Sequence, residues 1–202
     1  MSKIRVTYFD FAGSRGEEVR LALTIAGVDF DDNRVSHDDF AQLKPGLPFG
    51  ALPVLDMEGH PTLGQSNAIL RLIGRQHGLH PDDPFEAARH DALMDATEDL
   101  RQRISPTMRM TDPAAKKAAR AALSRDYIPQ WAGHVDRQIG AGPFVAGDRP
   151  SVADIKLYIV DKWISSGAVD DIAPEIFDGS PKLKALAEAV MTLPAVVKWY
   201  GG

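Results

Sequence analysis

No cysteine occurs among the 202 residues, and that one absence excludes a disulfide-stapled scaffold, a thiolate zinc site, an iron–sulfur cluster and a cysteine nucleophile. Aromatics are sparse at 7%, and neither charge sign dominates: 23 Lys and Arg stand against 28 Asp and Glu, a formal net charge of −5. No basic stripe of the kind that tracks phosphates is present, which argues against a nucleic-acid partner. No apolar run approaches the ~18 residues of a membrane span. Met1-Ser2-Lys3-Ile4-Arg5-Val6 leads straight into an alternating pattern without the apolar stretch of a signal peptide. The expectation is a cytoplasmic protein with no membrane partner. What is present is core material: 44% of residues are hydrophobic, and a chain of this length buries on the order of 70% of its unfolded surface.

The first eighty residues change period several times, as an alternating α/β unit does. Ile4, Val6 and Tyr8 alternate with Lys3, Arg5 and Thr7, predicting a strand with one buried face. From Arg15 onward Val19, Ala22, Leu23 and Ala26 fall at helical spacing, with Gly27 placed to end the helix. A second strand is expected over 30–35, parallel to the first through a right-handed crossover. A short helical turn over 38–43 precedes a third strand opened by Leu52-Pro53-Val54-Leu55. Glu58-Gly59 then makes a hairpin turn and His60 to Leu63 returns antiparallel. Ser66, ahead of Ile69, Leu72 and Ile73, reads as the N-cap of a helix that ends near Gly78.

His80-Pro81-Asp82-Asp83-Pro84 has the composition of a linker, and no strand signal follows it. The boundaries drawn are an α/β domain over 1–79, a linker over 80–84 and an all-helical domain over 85–202. Phe85, Ala88, Ala92, Leu93, Ala96, Leu100 and Ile104 mark one face of a long helix that Pro106 should bend or stop. A second runs from Pro113 toward Ile139 with a kink or break expected at Pro129, and Ser151-Val152-Ala153-Asp154 opens a third. Two short helices complete the chain, over 181–191 and 194–200.

Several chemistries find no motif. Gly13-Ser14-Arg15-Gly16 lacks both the G-x-G-x-x-G spacing and the Lys-Ser/Thr of a phosphate loop. His77 and His80 sit at a helix exit, where solvent is their expected surrounding, and no third ligand accompanies them; no metal is expected. There is no Gly-x-Ser-x-Gly elbow. Three features keep two readings each. Leu52-Pro53 is an ordinary strand start, or a cis step that turns a backbone edge toward an extended ligand. Gln65-Ser66 is a plain cap, or a helix N-terminus that holds a carboxylate. Tyr8 is a core tyrosine with a satisfied hydroxyl, or a donor to a bound group. Together they can hold a thiol-bearing peptide, provided that the ligand brings the sulfur.

At this point the chain resembles the glutathione transferase family, in its Tyr-type, sigma-like branch, the group that includes haematopoietic prostaglandin D synthase. The resemblance is carried by Val6-Thr7-Tyr8-Phe9, Arg15-Gly16-Glu17-Glu18-Val19-Arg20, Leu47-Pro48-Phe49-Gly50-Ala51-Leu52-Pro53, Gly64-Gln65-Ser66-Asn67-Ala68-Ile69 and Ser151-Val152-Ala153-Asp154. It implies an α/β thioredoxin-like N-terminal domain followed by an all-α helical C-terminal domain. The implied activity is conjugation of the glutathione thiolate to small hydrophobic electrophiles in detoxification, with a glutathione peroxidase side activity within the family's range. Two alternatives share the scaffold: a non-catalytic ligand-binding or structural protein, and a glutathione-dependent isomerase.

By the same resemblance, Tyr8 donates a hydrogen bond to the glutathione sulfur and Arg15 supports that site. Leu52, beside a cis Pro53, pairs its backbone with the cysteinyl part, and Gln65 and Ser66 take the γ-glutamyl carboxylate. Asp99 matches an acidic residue that meets the γ-glutamyl amine of the neighbouring subunit, which implies a homodimer; read alone, its acidic run is a solvated helix face. Phe40 stands where such members usually have Trp and Ala51 where many have Lys, leaving Lys44 as the basic residue at the glycine end. Weaker glutathione binding than in close relatives is therefore expected, and a dissociation constant as tight as that of an Ala51→Lys variant would argue against it. The electrophile pocket is expected from Phe9, Phe11 and Gly13 on one side and Arg101, Ile104, Met108 and Lys156 on the other, which would make it partly basic.

Overall fold

The structure is a computed structural model that describes residues 4–201. Lys3, counted above in the first strand, lies outside the described residues. Four strands form one sheet in the order β2-β1-β3-β4. β1 (Ile4–Phe9) pairs parallel with β2 (Asp31–Val35) and antiparallel with β3 (Val54–Met57), which pairs antiparallel with β4 (Leu63–Gly64). Because β1 is central, Val6, Thr7 and Tyr8 are buried consecutively, and the expected solvated face at Thr7 is absent. The return strand is only Leu63–Gly64, not residues 60–63. His60 N instead donates to Met57 O to close the turn, and Pro61 has no N–H for a ladder.

α1 (Ser14–Ile25) begins one residue before Arg15 and is buried continuously from Gly16 to Leu23, charged residues included. Its apolar spacing marks one stripe, yet α3 and β1 cover one side while α7 and α9 cover another. α2 (His37–Leu43) carries a capping box between Ser36 and Asp39 and passes into a 3₁₀ turn over Lys44–Gly46. α3 (Ser66–His77) ends at left-handed Gly78. Ser66 is its first helical residue and not the cap: Gln65, at φ +72°, holds that position and makes no side-chain cap bond.

The helical half starts at α4 (Pro84–Met108), whose first free N–H groups, those of Phe85 and Glu86, donate to the Asp83 carboxylate. Pro106 lies inside the last turn, and the helix ends two residues after it. The buried face is also rotated from the expected one. Leu93, Leu100 and Ile104 are inside with His90, Met94, Thr97 and Arg101, whereas Phe85 is 74% exposed and Ala88 and Ala92 face solvent. Alanine costs little at a wet position, so alanine spacing places a face poorly.

α5 (Pro113–Ala122) and α6 (Ile128–Gln138) are joined by a π-helical stretch, Leu123–Tyr127. The disruption expected at Pro129 takes this form, with the proline in the first turn of α6. α7 (Val152–Ser165) opens on the capping box of Ser151 and Asp154; the Asp154 carboxylate also accepts from Val145 N at 2.8 Å. α8 (Pro181–Met191) and α9 (Pro194–Gly201) follow, and α9 packs back on α1. Among the described residues no helix is long and apolar enough to cross a membrane.

Candidate functional site

Two clefts open where the sheet domain meets the helical one, and Arg15 lines both. The first, ≈ 290 Å³, runs between the start of β3 and the N-terminus of α3 and includes Ala51, Leu52, Pro53, Gln65 and Ser66. The Leu52–Pro53 peptide is cis. Leu52 precedes the strand ladder, and among the described residues its backbone N–H and C=O have no hydrogen-bond partner. The first helical bond of α3 runs from Ile69 N to Gln65 O, so the N–H groups of Ser66, Asn67 and Ala68 lack intrahelical acceptors. Three orphan donors at the positive end of a helix dipole suit a carboxylate, and an unpaired extended backbone beside them suits a peptide. The donor set thus fits glutathione, which carries both.

The second cleft, ≈ 510 Å³, is lined by Phe11, Gly13, Met108, Ile159 and Trp163, with Ser14, Arg101 and Lys162 as polar members. An apolar wall with few polar groups suits a small hydrophobic molecule.

Tyr8 ends β1 beneath the turn into α1 and is 5% exposed. Its ring lies against Gly16 so closely that a Cβ there would fall 2.0 Å from a ring carbon. Ser14, whose side chain acts on the Tyr8 phenol, lines the second cleft at φ +56°, a left-handed backbone that a non-glycine residue rarely adopts. Burial pushes the phenol above its ordinary value, and Glu18 adds to this, while Ser14, Arg15 and Arg101 pull the other way. Tyr8 therefore keeps its proton at neutral pH and remains a donor.

Arg15 is held by Glu98, with Nε at 2.8 Å and Nη2 at 2.6 Å from Oε2. Glu98 in turn meets Arg101 and Lys156, and these cations hold its carboxyl down at about 2 despite burial. Glu18, fully buried, bridges the same two cations.

Several expected site residues lie elsewhere. Lys156 is fully buried and ion-paired, Ile104 belongs to the core, and Phe9 packs on Phe40 and His37, so none of the three lines the second cleft. The cationic residues that line it are Arg15, Arg101 and Lys162, of which Arg101 is ion-paired with Glu18 and Glu98. Phe40 and Lys44 do not line the first cleft; the Lys44 ammonium lies 6.0 Å from the Phe40 ring centre. Asp99 is exposed, whereas Glu98, one residue and about 100° earlier on the helix, faces the cleft. His80, expected in solvent, is buried against Asp91 at 3.0 Å, while His77 is exposed. Sequence reading missed Ser14, Glu18, Glu98 and Lys162. The one available signal was the i,i+3 spacing of Glu98 and Arg101.

The family described as "Glutathione S-transferase, N-terminal domain" matches residues 4–75, and "Glutathione S-transferase, C-terminal domain" matches 98–201. The chain is 33% identical to glutathione S-transferase 1 of Ascaris suum, covering 98% of this chain and 96% of that protein. The prostaglandin synthase D structure of Nilaparvata lugens superposes with a TM-score of 0.87 at 30% identity, over 98% of this chain and 97% of that one. A glutathione S-transferase of Necator americanus, described as monomeric, superposes at 0.81 with 30% identity, over 98% and 96%.

Proposed function

The chain belongs to the glutathione S-transferase family, and from that premise we propose that it adds the glutathione thiolate to small hydrophobic electrophiles, with Tyr8 stabilising the sulfur anion. The observation that carries this reading is Arg15, which lines both the peptide-and-carboxylate cleft and the apolar one and whose charge acts on the protonated Tyr8 phenol, itself buried outside both linings. In the reaction the thiol proton leaves to solvent, sulfur bonds to the electrophilic carbon, and the carbon's leaving group departs with its electron pair. A donor and a nearby cation favour the thiolate over the thiol, and each unit by which a thiol falls from its usual ~8.5 is worth about 1.36 kcal/mol.

Ser66 and its neighbours on α3 take the γ-glutamyl carboxylate and Leu52 the cysteinyl backbone in this reading. Asp99, exposed on α4, serves the first cleft of a second copy in a homodimer; a monomeric mass in light scattering would remove that contribution.

The test is glutathione conjugation to a chlorodinitrobenzene-type electrophile across pH, for wild type and Tyr8→Phe. Turnover is expected to fall about 10- to 100-fold with the rate profile displaced to higher pH, while glutathione still binds. Equal turnover in the two proteins would overturn the assignment. The prostaglandin synthase among the related structures favours a second reading, glutathione-dependent isomerisation; an isomerase, unlike a conjugating enzyme, consumes no glutathione.

A further inference from the structure

Five charged side chains meet between the domains, and the reaction as written uses only one of them. Glu18 of α1 and Lys156 of α7 are fully buried, and Arg101 of α4 is 3% exposed. Lys156 Nζ lies 2.9 Å from Glu18 Oε2 and 2.5 Å from Glu98 Oε1. Arg101 sets Nη2 2.5 Å from Glu18 Oε1 and Nη1 3.0 Å from Glu98 Oε1. The four groups close a ring in which each carboxylate meets both cations, so the ring sums to zero charge. Only then does Glu98 Oε2 reach Arg15.

A lone Glu98 would cancel Arg15. A Glu98 already balanced by two buried cations, both of them shared with Glu18, fixes the guanidinium in place and leaves its charge uncancelled. Stability alone does not account for such a ring. Taking these ions out of water is costly, and apolar side chains of similar volume often fill such positions equally well.

We propose that Glu18, Arg101, Glu98 and Lys156 act as a neutral holder for Arg15, so that the cluster presents one surplus positive charge to the thiolate bound beside Tyr8. This rests on the reading of the first cleft as the glutathione site. Lys156 and Glu18 are then positioning residues that set how strongly the site favours the sulfur anion, although neither touches the ligand. The charged groups that face Tyr8 are Arg15 and Glu18 from α1 and Arg101 from α4. Arg20, 5.8 Å from the Tyr8 ring centre, is spent on Glu17 and Asp32. Lys162 of α7 adds a cation at the second cleft, where its ammonium stacks on Tyr200.

The test is ultraviolet titration of the thiolate of glutathione bound to the full chain, for wild type, Lys156→Met, Glu18→Gln and the double variant. Lys156→Met leaves no surplus charge, so the thiolate-to-thiol ratio at fixed pH falls about tenfold; Glu18→Gln leaves two, so it rises about tenfold; the double variant returns to wild type. A purely structural ring predicts that both single substitutions loosen the site and move the ratio the same way, and that result, or no movement in either, overturns the proposal. Where Lys156→Met does not fold, the other two variants decide: a Glu18→Gln that fails to raise the ratio, or a double variant that departs from wild type, overturns it. A wild type without bound thiolate brings down the reading of the cleft and the proposal with it, whereas a wild type with thiolate and unmoved variants brings down the proposal alone.

Discussion

At the scale of single residues, the placement of Tyr8 depends on a side chain that is missing. Gly16 lets the first turn of α1 pass over the phenol ring, and an added Cβ would lie 2.0 Å from one ring carbon and 2.7 Å from Tyr8 Cβ. Ring and backbone-proximal atoms cannot swing aside as a flexible chain end does, so Gly16→Ala should push the whole tyrosine out of register. We expect turnover to fall about a hundredfold, as misplacement by an ångström does, and stability to drop by about 1–3 kcal/mol from overpacking. Steady-state kinetics beside a urea melt checks both; a variant that turns over like wild type would show that the ring has room to move. The sequence supplied Gly16 only as part of a matching stretch. Its physical reason, a backbone crossing an aromatic face, is a tertiary contact that no spacing encodes. Lys156 teaches the same lesson in reverse: a lysine in a helix otherwise buried reads as pocket lining, yet its partners Glu18 and Glu98 are 138 and 58 residues away.

Among the elements, legibility followed local chemistry. The strand and helix order of the first domain was readable because alternation, helical spacing and Gly27 or Gly78 are local signals. The same holds for α7, where Ser151 and Asp154 satisfy each other across the first turn. Inside the fold Asp154 does more than cap: it accepts from Ser151 N at 2.7 Å, Ser151 Oγ at 2.6 Å and Val145 N at 2.8 Å, all buried. Asp154→Ala leaves two backbone N–H groups without acceptors in a dry site, so a loss of about 3 kcal/mol or more is expected in chemical denaturation. Asp154→Asn, which keeps one acceptor oxygen, should lose less, and equal losses would mean that the charge and not the bonding matters. Less legible was α4, whose alanines fit one face on paper while burial chose another. Helix faces are fixed by what packs on them, and α5, α6 and α7 all contact α4.

The whole molecule is two domains joined over charged ground, and the linker belongs to that junction. Val152 N donates to Leu79 O at 2.9 Å, His80 binds Asp91, and His90 Nδ1 lies 3.0 Å from Ser151 Oγ, so the linker, α4 and the start of α7 are tied at one point. His90 is fully buried, and burial with His80 nearby lowers it to about 4. In the unfolded chain the same imidazole titrates near ~6.5. Above that pH both states are neutral and the folded state keeps its full advantage. Between ~6.5 and about 4 only the unfolded state takes up the proton, so stability falls as pH falls, by about 2 kcal/mol between pH ~7 and ~5. Glu98, held at about 2, gives up its contribution only below its ordinary carboxylate range near ~4.3, so it adds nothing to the fall around pH ~5. Because α1 is packed against α7 and α9, and Trp199 Nε1 donates to Glu17 Oε1 at 2.7 Å, the domains should melt together. Acidification from pH ~7 to ~5 should therefore shift one cooperative transition downward without splitting it, and His90→Gln should flatten that dependence. A variant whose transition falls as steeply as that of wild type would place the proton elsewhere, and a transition that splits would show that the junction holds the two domains less firmly than its ion pairs and helix contacts require.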